Sequence, residues 1–227
     1  MKLIHAGAAL LRRMKNHFAN GWVALSLLLP LGQPDAWHPV EFKKISVNVT
    51  AFATNSMTFR VENSASALVS PVTNAPRVTR LYVMGHVEGA WRSVAEKRFS
   101  RTDDMVLRVG LVESGPRRLN GFEQRVAPDW LKEFFRLMPA HAGIAKVHFF
   151  NVSARQGTEE REPPRSGRQL VVEQVVTTPE ADGRFEFTCP LPQPMKAIAV
   201  WLGADGDDSH SSFVVTVERV EIETVKE

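Results

Sequence analysis

Met105, Leu107, Val109 and Leu111 form an unbroken apolar alternation, and the residues between them are apolar or glycine apart from Arg108. A repeat of two is the repeat of a β-strand, and apolar residues on both sides of it mark a strand covered on both faces. Ile45, Val47 and Val49 alternate with polar residues, as do Met57, Phe59 and Val61, so these read as half-buried strands. Residues 78–87, 144–152, 170–177, 184–189, 197–202 and 213–222 continue the series. About nine strands with turns between them predict an all-β chain, an antiparallel β-sandwich or jelly roll. One segment departs from this period. Trp130, Leu131, Phe134, Phe135 and Met138 recur at helical spacing between Pro128 and Pro139, which predicts one short helix closing an end of the sandwich core.

The formal charge of +3 and pI near 9.2 raise the question of nucleic acid. The excess is concentrated at the N-terminus. Lys2, Arg12, Arg13 and Lys15 precede an apolar run at 22–31, and Gly32, Gln33, Pro34, Asp35 and Ala36 follow it. That order is the pattern of a secretory signal peptide over 1–36, with Met14 suited to be the true start. The run is shorter than the roughly 20 apolar residues of a spanning helix, so no retained membrane anchor is expected. Removal through Ala36 takes four of the 28 basic and one of the 25 acidic residues, which leaves the two balanced. The expectation is a periplasmic or secreted protein that does not bind nucleic acid. Residues 37–227 then form a single sandwich domain with a polar loop at 154–168. Cys189, the sole cysteine, shares a strand face with Phe185 and Phe187 and reads as a buried apolar side chain.

The densest cluster of chemistry-bearing residues is Asp205, Asp207 and Asp208, at the end of an apolar strand. Adjacent carboxylates repel, and calcium would relieve that repulsion by taking several oxygens from an irregular loop. An ordinary turn, with Asp side chains bonded to their own backbone, is equally open. Asp103 and Asp104 open the strand carrying Arg108, whose side chain falls on the face of Asp104 and opposite Leu107 and Val109, so a buried pairing of Arg108 with carboxylate and a strand-end turn with a solvated Arg are equally open. Trp91 follows Gly89 and Ala90 and is the choice for an exposed platform on which a sugar ring stacks. Glu173, on a strand, would be the second carboxylate if the acidic loop hydrolysed glycosides. No nucleophile elbow, zinc helix, P-loop or dinucleotide fingerprint is present, and His86, His141, His148 and His210 lack ligand spacing. No residue is assigned a catalytic role.

The stretch from Ala197 through Trp201, Gly203, Asp205, Gly206 and Asp208 to Ser209, followed by a last strand, resembles a bacterial exported family catalogued only as domain of unknown function 3047. Asn63, Ser64, Ala65 and Ser66, and the segment from Asp103 and Asp104 to Arg108, are similar to its pattern too. The resemblance implies an exported β-sandwich and no established activity. Three functions stay open on the residues alone. The first is a non-catalytic module binding a glycan or another envelope component, with calcium as a structural cofactor. The second is a carbohydrate-active enzyme using Asp205, Asp207 or Asp208 with Glu173. The third is an assembly partner that binds through a sheet edge.

Overall fold

The computed structural model of the chain describes residues 23–91, 105–127, 129–138, 143–154 and 170–226. In chain order these form β1 (Val23–Leu28), a 3-10 turn (Pro34–Ala36), β2 (His38–Glu41), β3 (Val49–Phe52), β4 (Met57–Glu62), β5 (Ala65–Pro71), β6 (Arg77–Ala90) and β7 (Leu107–Gly115). There follow α1 (Gly121–Val126), α2 (Asp129–Leu137), β8 (Gly143–Val152), β9 (Val171–Thr177), β10 (Arg184–Asp205) and β11 (Ser212–Lys226). The chain is all-β and sandwich-like. The eleven strands hydrogen bond as one mixed, unclosed sheet whose order is β3-β4-β11-β6-β10-β7-β8-β9, with β1 beside β11 and β5 between β2 and β10.

The sheet doubles over because β10 serves two layers. Residues 184–196 pair with β6, and residues 197–205 pair with β5 and β7. The register breaks between Pro190 and Met195, where Pro190, Pro192 and Pro194 supply no N–H to a ladder. A strand that must leave one layer for the other changes over where its hydrogen bonds are already missing. Met57, Phe59, Val61, Leu81, Val83, Leu107, Val109, Leu111, Val215 and Val217 fill the space between the layers, each fully buried.

A second, smaller core lies on the outer face of the layer formed by β2, β5, β7, β8, β9 and the end of β10. Val40, Val69, Phe134, Met138, Ile144, Phe149, Ile198 and Trp201 build it. Helix α2 therefore covers the outside of a sheet, where the sequence suggested that it closes an end of the main core. Its apolar residues are spaced for one flat surface, and the outward side chains of β5 and β10 supply that surface.

Several expectations are corrected. β1, β2 and β5 are additional strands; β5 is buried on both faces by small residues and so shows no alternation. The two segments at 184–189 and 197–202 are one strand, β10. A second helix, α1, precedes α2. β8 and β9 run parallel, which needs a crossover of a dozen or more residues. The polar loop expected at 154–168 occupies that connection and, beyond Ala154, lies outside the described residues.

The apolar run assigned to a removable leader is part of the fold. β1 pairs with β11 from Val23 opposite Lys226 to Leu28 opposite Glu221. Leu29 and Leu31 are buried in the main core, and Trp37 donates from Nε1 to the Pro30 carbonyl at 3.1 Å. Cleavage after Ala36 would remove a strand and two core leucines from the sandwich. The charge and apolar pattern of a signal peptide is here also the pattern of an edge strand entering a core. No helix among the described residues is long and apolar enough to cross a membrane.

Candidate functional site

Arg108 is the second residue of β7, between Leu107 and Val109, which point into the main core. Alternation sends its side chain to the outer face of the layer. Nη1 donates to Glu173 Oε1 at 2.7 Å, and Nη2 lies 4.0 Å from Asp205 Oδ2. The three side chains retain only 11%, 19% and 14% of their exposure, so this is a nearly buried ion network, where loss of one member costs far more than at a surface. The guanidinium also lies 5.9 Å from the centre of the Phe149 ring.

Each member arrives by strand register. Arg108 is opposite Asn151 on β8 and opposite Gly203 on β10. Glu173 of β9 is opposite Phe149, and Asp205 ends β10 opposite Ala65 of β5. Gly203 brings no side chain into the space beside Arg108. A Cβ there would meet the Ala67 Cβ at 2.9 Å and Trp201 Nε1 at 3.1 Å. Trp201 underlies the region as the hub of the second core, with ring centres of Phe134 and Phe149 at 5.6 and 5.7 Å. Asn151 is 1% exposed, and its Oδ1 has no hydrogen-bond partner. A buried amide oxygen without a donor is costly, and such groups mark places where water or a ligand completes the bonding.

Arg108 is nearly buried and pairs with Glu173 and Asp205. Asp103 and Asp104 lie outside the described residues. Glu173 and Asp205 of the acidic loop meet through one guanidinium. The loop itself is a closed turn. Ser211 N donates to the Gly206 carbonyl at 3.0 Å, Gly206 N to the Ser64 carbonyl at 3.2 Å and Asn63 N to the Ser211 carbonyl at 2.9 Å. The Ser209 and Ser211 hydroxyls bond at 2.6 Å. Asp205 is directed toward Arg108, while Asp207 and the exposed Asp208 sit in the turn. No three His, Cys, Asp or Glu side chains gather at one point among the described residues.

Trp91 is half-buried and packs against the main core, so it is not the exposed platform that its flanking Gly89 and Ala90 suggested. Cys189 also packs against that core, and burial pushes its thiol up to about 11. Sequence reasoning missed Phe149 and Asn151. The available signal was Asn151 itself, a lone amide inside the apolar run of β8.

A shallow depression of about 320 Å³ lies on the outer face of the other layer, over Arg80, Tyr82, Arg219, Glu221 and Glu223. Its charges are spent on each other. Arg80 pairs with Glu223 at 3.1 Å, Arg219 pairs with Glu221, and the Arg219 guanidinium sits 5.4 Å from the centre of the Tyr82 ring. Burial and the bond to Glu186 hold the Tyr82 hydroxyl above its ordinary pKa. One ion pair crosses from β6 to β11 and the other runs along β11, on a solvated face.

No protein-family model matches the chain, and no curated protein does. Among solved structures, the chain is similar to a protein of unknown function from Shewanella oneidensis MR-1, at 7% identity and a TM-score of 0.32, over 94% of this chain and 90% of that one. The resemblance to domain of unknown function 3047 thus rests on the segments quoted for it.

Proposed function

We propose that the chain is a non-catalytic binding module for a hydroxyl-rich ligand, a glycan or glycan-bearing envelope component, received at the outer face around Arg108, Glu173 and Asp205. The observation that carries this reading is the convergence of one guanidinium and two carboxylates from three strands beside an amide oxygen, Asn151 Oδ1, that lacks a donor. A sugar hydroxyl both donates and accepts, so alternating charged donors and acceptors suit it, and a rigid sheet holds them in place without an ordering cost on binding.

The same geometry weighs against hydrolysis. A glycosidase needs one carboxyl to deliver a proton while the other acts on the opposite side of the bond. Here both carboxylates face a single guanidinium that can only donate, so each serves as an acceptor. Titration of the full chain with a panel of oligosaccharides, followed by amide chemical shifts, tests the proposal. Shifts confined to β7, β9 and the end of β10, and lost in Arg108→Lys, support it, because an ammonium cannot reproduce the fork. Release of reducing ends from any oligosaccharide would favour the enzyme instead.

A further inference from the structure

Phe122 is 73% exposed and Val126 62% exposed. They lie four residues apart on α1, hence on one side of it. Two apolar side chains held in water need a reason, and here the local structure holds them there. Asn120 Oδ1 accepts from Phe122 N at 3.0 Å and Glu123 N at 2.8 Å, and Glu123 Oε2 accepts from Asn120 N at 3.0 Å, completing a capping box. Arg117 donates to the other oxygen of Glu123 at 3.4 Å. Glu123, the one acid among residues 117–127, is thereby used to build the tip. Arg118 and Arg125 are exposed and make no ion pair with a described residue. The tip therefore presents two apolar side chains flanked by two cations.

We propose that this tip docks on an anionic lipid surface, with Phe122 and Val126 entering the headgroup boundary and Arg118 and Arg125 meeting lipid phosphates. A partner groove that reads a helix needs several turns of it, and α1 has six residues. Two protruding apolar residues with flanking cations match what an interface of headgroups and acyl chains accepts. The tip sits beyond the C-terminal end of β7, whereas Arg108 is near its N-terminal end. Docking there leaves the proposed ligand site free, and the two surfaces stand or fall separately.

The test is sedimentation of the full chain with sucrose-loaded vesicles, either phosphatidylcholine alone or two parts phosphatidylcholine to one part phosphatidylglycerol. Binding to the anionic vesicles, falling with added salt, and none to the neutral ones is expected. Arg118→Gln with Arg125→Gln should lower the partition coefficient roughly thirtyfold, and Phe122→Ser with Val126→Ser by at least about tenfold. As a second measurement, Phe122→Trp should be quenched by brominated lipid. Absence of sedimentation with anionic vesicles overturns the proposal. So does binding that the arginine pair leaves unchanged, or binding to polyglutamate without binding to vesicles, which would assign the tip to an acidic protein.

Discussion

Arg108 on β7 donates to Glu173 on β9 at 2.7 Å, across the whole width of the intervening strand β8. The bond can form because β8 contributes Asn151 and Phe149 at the positions beside it, and both lie low, at 1% and 8% exposure. It also ties the one parallel pair among the described strands to their antiparallel remainder. Parallel pairing is somewhat weaker per residue, so an ion pair spanning it stabilises the β9 edge where the ladder is least supportive.

Arg108→Met should therefore destabilise the fold by about 3 kcal/mol, as loss of one member of a nearly buried ion network does. For a domain of this size that lowers Tm by roughly 6 to 12 °C. Adding Glu173→Leu should recover part of the loss, since a carboxylate then no longer faces a missing partner. The check is chemical and thermal unfolding of both variants; an Arg108→Met protein that melts with the wild type would show that the pair contributes nothing.

A chain beginning at Trp37 should not reach the wild-type fold. It lacks β1, the bond from Leu29 N to the Val220 carbonyl at 2.9 Å, and the carbonyl of Leu25 that accepts from Thr224 Oγ1 at 3.1 Å. It also lacks Leu29 and Leu31, each contributing about 2 kcal/mol by burial. A chain beginning at Asn20 should melt with the full-length protein. Equal melting of all three would restore the reading of 1–36 as a dispensable leader.

The legible part of this fold was what alternation writes directly. β4, β6, β7 and β11 carry it, and Arg108 stands out as the single charge in the apolar run 105–112. β5 was not legible, because Ala65, Ser66, Ala67 and Ser70 are small and buried on both sides, leaving no period to read. β1 was not read as a strand, because an apolar run behind basic residues fits a leader and an edge strand alike. The site was half legible. Glu173 could be named beside Asp205, Asp207 and Asp208 from their chemistry, but the choice of Asp205 and the guanidinium between them depend on the order β10-β7-β8-β9, which no local pattern contains.

Cys189 should be inert toward thiol reagents at neutral pH and react only above about pH 9 or on unfolding. Burial raises its pKa from 9.0 to about 11, so the folded thiol keeps its proton where the unfolded one loses it. The sign follows from linkage. The stability is unaffected by this group below pH 9 and falls as pH rises from 9 toward 11, because there the unfolded state binds fewer protons than the folded one. Stopped reactions with a chromogenic disulfide across this range, beside unfolding curves, measure both effects; fast labelling of native protein at pH 7 would contradict the burial.

Melting of the wild type should be the same in chelator and in millimolar calcium. The sequence suggested that calcium relieves the repulsion among Asp205, Asp207 and Asp208, but Asp205 lies 4.0 Å from Arg108 Nη2, and the turn is closed by its own backbone and by Asn63 and Ser64. Asp207→Ala should then shift stability by no more than about 0.5 kcal/mol, as solvated turn positions do. A cation bound at one hundred times Kd would add about 2.7 kcal/mol, several degrees in Tm and well above error. If calcium raises the Tm of the wild type and not that of Asp207→Ala, the loop holds the ion. Arg108 would then be sharing Asp205 with a metal rather than replacing one.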